Sequence, residues 1–273
     1  MRRMMNIVPS GSSRLLLGLL PFLLVAFLYV AGSAERRAVN PNDKLLPPVS
    51  EMAVAVKRAA FEPDRRTGDY VLWNDTKASL RRLGIGLGIA TAGGLAFGLA
   101  IGVLPLVGAT FAPMIGVLSM IPPMAVLPIL FIVFGLGELS KVVLIVFGVA
   151  PFLVRDLGLS ITNMPLEQLV KAQTLGASTW QVAIRVVLPQ IMPRLIEAVR
   201  LSIGPAFLFL ISAEAIAAEN GLGYRIFLLR RYLAMDTILP YVAWITLLAW
   251  LLDWALATLA RRAFSFAYVT ERR

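Results

Sequence analysis

The sequence predicts an all-α integral membrane protein with about six transmembrane helices, and three observations carry that prediction. Hydrophobic residues make up 58% of the 273 and charged residues 15%, against roughly 25% charged in an ordinary soluble domain. Uncharged runs recur at lengths that suit helices crossing about 30 Å of hydrocarbon. Between them stand Gly, Pro and short clusters of Lys and Arg rather than long polar domains. The chain has no Cys and no His, which removes disulfides, thiolate nucleophiles, imidazole catalysis and the commonest metal ligands. Most enzyme classes therefore fall away, and no catalytic residue, metal or cofactor is expected. The formal charge of +10 sits in the short basic clusters, which suit membrane lipids and a partner protein, and no nucleic-acid partner is expected.

Residues 1–14, with Arg2, Arg3 and Arg14, read as a cytoplasmic N-terminus, and residues 15–32 as the first transmembrane helix. A cleaved secretory signal ending near Gly32-Ser33-Ala34 is the competing reading. The 18-residue apolar run exceeds the 7 to 15 of a signal core, which favours a retained span. Residues 33–82 read as an extramembrane loop whose segment LLPPVSEMAVAVKRAAF carries the periodicity of one amphipathic surface helix. From Leu83 to Gly137 there are 55 residues without a charge, too many for one span, so two must share them. Gly102, Pro105 and Gly108 supply the break, and IPPMAVLP (121–128) is expected to kink or interrupt the second helix. Gly86, Ala90, Gly94, Gly98 and Gly102 recur every four residues, a nearly bare face suited to close helix packing.

Val142–Val154 with its flanks makes a fourth span. Leu201–Ala213, extended to Ala218 past Glu214, makes a fifth, and Thr237–Ala260, interrupted only by Asp253, the sixth. Residues 261–273 form a C-terminal tail on the side of the N-terminus, with residues 155–200 on that side too. Lys and Arg divide almost evenly between the two sides, so the positive-inside rule does not set the orientation. Glu214 and Asp253 are intramembrane polar candidates, because an ionisable group in a span is costly unless paired. Arg261 and Arg262 are the expected partners of Asp253, and the loop with Arg225, Arg230 and Arg231 that of Glu214.

The polar insertion 162–193 is the unusual element. Asn163, Pro165 and Glu167 read as a helix start: an Asn cap, Pro in the first turn and an acid near the positive end of the dipole. Leu166, Leu169 and Val170 share one face. Gly176 should end this helix and Ser178 cap a second, with Pro189 and Pro193 marking the turn into the next span.

These residues resemble the permease subunits of ABC importers, whose cytoplasmic loop runs Glu-Ala-Ala, three residues, Gly, nine residues, Ile, one residue, Leu-Pro. Ala172 matches the last Ala, Gly176 the Gly, Val186 the Ile, and Leu188-Pro189 the Leu-Pro, while Val170 and Lys171 depart from the pattern. IPPMAVLPILFIVFGLGELSK (121–141), VRLSIG (199–204), SAEAIAAENGLGY (212–224) and LLD (251–253) resemble the nitrate/sulfonate/taurine branch of that family. The resemblance covers roughly residues 45 to 265.

It implies a five-helix permease core within 83–260, a cytoplasmic coupling helix and a periplasmic location for 33–82. It also implies a homodimer with a second permease copy, cytoplasmic ABC ATPase subunits and a periplasmic solute-binding protein, in the bacterial inner membrane. The coupling role falls to Ala172, Leu175, Gly176, Trp180, Val186, Leu188 and Pro189, with Trp180, Leu175 and Leu169 as an apolar docking surface. The implied cargo is nitrate, a sulfonate such as taurine, bicarbonate or a related organic anion. No Gly-rich loop ends in Gly-Lys-Ser or Gly-Lys-Thr, in keeping with an energy source on a partner chain. A self-contained secondary transporter or channel is the alternative, but it calls for an inverted repeat and mid-membrane charges that the central spans lack. A membrane enzyme would need a polar constellation at one membrane face, and no paired-acid motif supplies it.

Overall fold

The computed structural model describes residues 10–64 and 68–266, all of whose regular elements are helical. Arg2, Arg3 and the ends of both terminal segments lie outside the described residues.

Helix α1 (Gly11–Val39) is longer than the run 15–32. Its extra turns carry Arg36 and Arg37 at the negative end of the helix dipole, where cations are favoured. Arg36 Nε donates to Asp43 across 2.6 Å, and Arg37 pairs with Glu51 at 2.8 Å. Almost every apolar side chain of α1 is exposed, and the helix is tied down near its end by Tyr29 Oη donating to Pro47 O and Ser33 Oγ to Leu46 O. The amphipathic α2 (Val49–Phe61) turns Ala55 and Ala60 inward and packs on the last long helix of the described residues.

Helix α3 (Val71–Val103) corrects the reading of 33–82 as loop, because it begins at Val71 rather than Leu83. Its first turns bury Asp75, Thr76, Ser79 and Arg82, all of which find partners, so polarity there signals pairing within the protein and not exposure to water. The chain then breaks at Leu104. Pro105 opens α4 (Pro105–Leu118) at a position where a missing N–H costs nothing, and a Cβ on Gly108 would sit 2.8 Å from Ile101 O. After Pro122, α5 (Pro123–Phe134) leaves at 96° to α4, so the IPP segment interrupts the span outright.

Helix α6 (Glu138–Thr162) lies along α3 and continues eight residues past Val154, which corrects the expectation that the chain leaves the span at residue 155 and puts Arg155 and Asp156 on the helix. Cβ atoms built on Gly86, Gly94, Gly98 and Gly102 would stand 2.8, 2.7, 2.8 and 2.6 Å from the Cβ atoms of Ile145, Leu153, Leu157 and Ile161. The partners keep one offset throughout, so the two helices run parallel and the glycine face of α3 receives a ridge of branched side chains.

After α7 (Leu166–Thr174) and the single turn α8 (Thr179–Gln181), a π-helical stretch from Val182 to Val187 leads into α9 (Leu188–Ala217). The run from Thr179 to Ala217 is one helical rod of 39 residues. This corrects the expectation that Pro189 and Pro193 mark a turn. Leu188 N–H bonds to Ala183 O, and that wide turn immediately precedes Pro189, which has no N–H to give, so the helix carries the proline without breaking. The short α10 (Leu222–Arg230) and the long α11 (Met235–Ala263) complete the described chain. Among the described residues, five helices are long and apolar enough to cross a membrane, and the bent pair α4–α5 makes a sixth when taken as one span. Leu144, Ile145, Val149 and Leu153 of α6 meet Ala198, Ala206, Phe209 and Leu210 of α9 in the main core.

Candidate functional site

Two assemblies sit at opposite ends of the 179–217 rod: the polar insertion at its start and a buried ion-pair network near its end.

At the insertion, Asn163 ends α6 and does not cap α7, whose N-cap position is held by Pro165. The helix α6 simply persists to Thr162 and takes Asn163 as its C-cap, with the Asn163 N–H on Leu159 O. Glu167 lies in the first turn of α7, at the favourable end of the dipole. The exit of α7 is tightly built. Ala177 N–H bonds to Ala172 O at 3.1 Å and Gly176 N–H to Gln173 O at 2.9 Å, a Schellman closure that puts Gly176 at φ +82. Ser178 then receives the N–H of Gln181, and Gln181 Oε1 receives the N–H of Ser178, a reciprocal cap that starts the rod one residue later.

The insertion therefore has a fixed shape, and its two faces differ. Leu169, Ala172 and Ala177 pack inward with Ile161, Val182, Val187 and Ile191 against the end of α3. Leu169 thus belongs to the fold, against the expectation that it helps dock a partner. Leu175 is 88% exposed and Trp180 73%, flanking Gly176, at which a Cβ would meet nothing within 4 Å. Val186 and Leu188 are half-buried along the rod, and Pro189 is exposed on it.

At the far end, Glu214 of α9 is fully buried. Arg82 Nη1 donates to it at 2.7 Å, Ser79 Oγ at 2.8 Å and the Gly223 N–H at 2.9 Å. The expected partner loop is only half right: it supplies backbone, while Arg225 donates to Asp75 at 2.8 Å. Asp75 also takes the N–H of Gly221, and Ser79 that of Leu222, so three successive backbone donors at the N-terminus of α10 are all captured by side chains. Arg82 spends its remaining donors on Glu138 and on Asn220, and Lys141, also buried, pairs with Glu138 at 2.9 Å. Sequence reasoning missed Asp75, Ser79, Arg82, Glu138 and Lys141 as members. Their signal was present in the spacing of Asp75, Ser79 and Arg82, which lie on one helical face directly before an apolar run.

Asp253 is placed elsewhere. It accepts from Arg200 Nε at 2.8 Å, tying α11 to α9, where Arg261 and Arg262 were expected. Arg261 Nε instead turns back to Ala257 O. Among the described residues no group of Asp and Glu has the arrangement of a metal site.

The family model described as binding-protein-dependent transport system inner membrane component matches residues 84–265, from the glycine face of α3 through the end of α11. The chain belongs to this family. It is a permease subunit of an ABC importer, a multi-pass membrane protein rather than an enzyme, and permeases of this kind work with an ATPase and a solute-binding protein. The permease is 34% identical over 195 residues to the taurine transport system permease protein TauC of Escherichia coli (strain K12), covering 71% of this chain and 70% of that one. It is 26% identical to the nitrate import permease protein NrtB of Synechococcus elongatus, over 75% of this chain and 74% of that one. Among solved structures, an inward-facing form of the MetNI methionine ABC transporter matches with a TM-score of 0.63 at 19% identity, covering 73% of this permease and 99% of that chain. At that identity the likeness speaks for the fold.

Proposed function

We propose that this permease conducts a small oxyanion, of the sulfonate or nitrate type, through the bacterial inner membrane as a homodimer. A periplasmic binding protein delivers the solute and a cytoplasmic ABC ATPase drives transport by gripping the α7–α8 corner. The cargo class follows the relatives named for taurine and nitrate. The carrying observation for the coupling role is the corner itself. Two large apolar side chains, Leu175 and Trp180, stand exposed on either side of a side-chain-free Gly176, on a turn locked by a Schellman closure and a capping box. Exposed aromatic anchors on a rigid support are what a tight protein contact uses.

Because the rod is continuous from Thr179, displacement of the corner by an ATPase moves α9 as a rigid body rather than flexing a loop. The far end of that rod holds Glu214, so the same motion loads the Arg82 network that ties α9 to α3 and α6.

The test is a pull-down of tagged protein in mild detergent, wild type beside Gly176→Asp, with co-purifying chains identified by mass spectrometry. Wild type should bring down a P-loop ATPase in about equal amount, and the variant should reach the membrane without it. Absence of an ATPase from wild type under several gentle conditions would move the self-contained transporter to first place.

A further inference from the structure

Between α4 and α6 lies a cleft of about 450 Å³ that no function described above uses. Its floor is nearly bare: Gly102, Gly108, Ala112, Gly116 and Gly158 contribute almost no side chain. The polar side chains lining it are Thr162, whose hydroxyl donates to Leu159 O, and Arg155. Arg155 is exposed on α6, seven residues before the helix ends, and its Nη1 points to Ser119 Oγ at 3.4 Å, in the break between α4 and α5. Ser119 Oγ donates its own proton to Gly116 O, so it faces the guanidinium as an acceptor.

The charge balance of this place is distinctive. The other cation of α6, Lys141, is neutralised by Glu138, and Asp156, next to Arg155 in sequence, is taken by Arg194 Nε at 2.8 Å. Among the described residues, Arg155 meets a hydroxyl and no carboxylate. A guanidinium on a membrane span is costly against hydrocarbon, so its stable surroundings are a water-lined path that holds an anion or a lipid phosphate. The planar fork of Arg matches a sulfonate or nitrate with two parallel hydrogen bonds, and the apolar wall leaves its field poorly screened.

We propose that Arg155, positioned by Ser119 at the break between α4 and α5, is an anion-selecting station for the solute in the α4–α6 cleft. This rests on the permease reading and adds a residue to it. The single cation attracts a monovalent oxyanion into an uncharged cleft and repels cations, and with one charge and no enclosing cage it releases what it attracts. Passage needs that combination of entry and escape.

The chain has no Cys, so Ser119→Cys introduces the one thiol it carries, beside Arg155. In membranes holding the assembled importer, the introduced thiol is reacted with an anionic sulfonatoethyl and with a cationic trimethylammonioethyl methanethiosulfonate, and labelling is read as the mass of this chain. The anionic reagent should react faster, the rate ratio should fall about tenfold in Ser119→Cys/Arg155→Gln, and it should survive in Ser119→Cys/Arg155→Lys. Taurine or nitrate should slow the anionic reagent where Arg155 is present.

No reaction with either reagent would place position 119 away from water, with Arg155 serving a lipid phosphate, and would overturn the proposal. A ratio near one, or one indifferent to Arg155→Gln, would overturn it equally. If Arg155→Gln does not accumulate, Arg155→Met, which keeps the apolar stem, carries the same comparison. Co-purification of the ATPase with wild type is scored separately, so failure of the anion station and failure of the permease reading give different results.

Discussion

Arg82 on α3 reaches Glu214 on α9 across 2.7 Å, joining residues 132 positions apart. Each nitrogen of that guanidinium is engaged: Nε and Nη2 with Glu138, Nη1 with Glu214 and Asn220 O, Nη2 again with Asn220 Oδ1. One side chain thereby fastens α3, α6, α9 and the connection to α10 at the end of the molecule away from the α7–α8 corner. Such a pair contributes mainly by what its loss would leave behind, a buried carboxylate without a counter-charge.

Replacing Arg82 by Met should therefore cost about 3–5 kcal/mol, the range for breaking a buried pair. Arg200→Met should cost markedly less, since Arg200 and Asp253 are 30% and 43% exposed. Membrane yield and thermal unfolding of the purified variants in one detergent compare the two. Equal losses would deny Arg82 its special place.

Gly221→Ala should be among the most damaging single-methyl changes in the chain. Gly221 sits at φ +122, and a Cβ there would stand 2.6 Å from the Glu214 carboxyl carbon. Backbone strain and the steric clash each cost about 1–3 kcal/mol. Gly204→Ala, in the middle of α9 with nothing within 4 Å, should be neutral or stabilising by up to about 1 kcal/mol. The pair of melting temperatures decides the matter.

The glycine face of α3 makes a paired prediction. Gly94→Ala would push a methyl to 2.7 Å from Leu153 Cβ and should destabilise by about 1–3 kcal/mol. Gly93→Ala, with open space, should not. The double variant Gly94→Ala/Leu153→Gly should lose less than the two single losses added together, because glycine at 153 removes the Cβ that the new methyl strikes. Strict additivity in a double-mutant cycle would show that these residues do not meet.

At the corner, Trp180→Ala should leave the melting temperature nearly unchanged and cut the co-purified ATPase by about tenfold or more, as truncation of an exposed anchor does. Leu169→Ala should do the opposite. Its side chain packs inward with Ile161, Val182 and Ile191, so stability should fall by about 2 kcal/mol or more while any folded protein keeps its ATPase. The two readouts moving together in both variants would erase the distinction between the faces.

The places of the apolar helices were legible from the residues, because hydrocarbon thickness and backbone sterics act over a few turns. The Gly176 exit, the Ser178 cap, the break at Pro105 and the interruption at Pro122-Pro123 belong to the same class: each is decided by the conformational range of one residue or by a missing N–H. The four-residue glycine repeat announced a close packing face in the same way.

The identity of partners was decided only by the tertiary structure. Nothing local distinguishes Arg82 from Arg225 as the partner of Glu214, or Arg200 from Arg261 as that of Asp253; the choice follows from which helices meet and at what height. The early start of α3 was hidden for the same reason, since Asp75 and Arg82 look like loop residues until their counter-charges on α6, α9 and α10 arrive. Likewise Leu169 and Leu175 are alike as residues, and only packing of the insertion against the end of α3 buries one and leaves the other exposed. Hydropathy and backbone geometry are properties of a short stretch of chain, whereas charge pairing in a low-dielectric interior is a property of what the fold brings together.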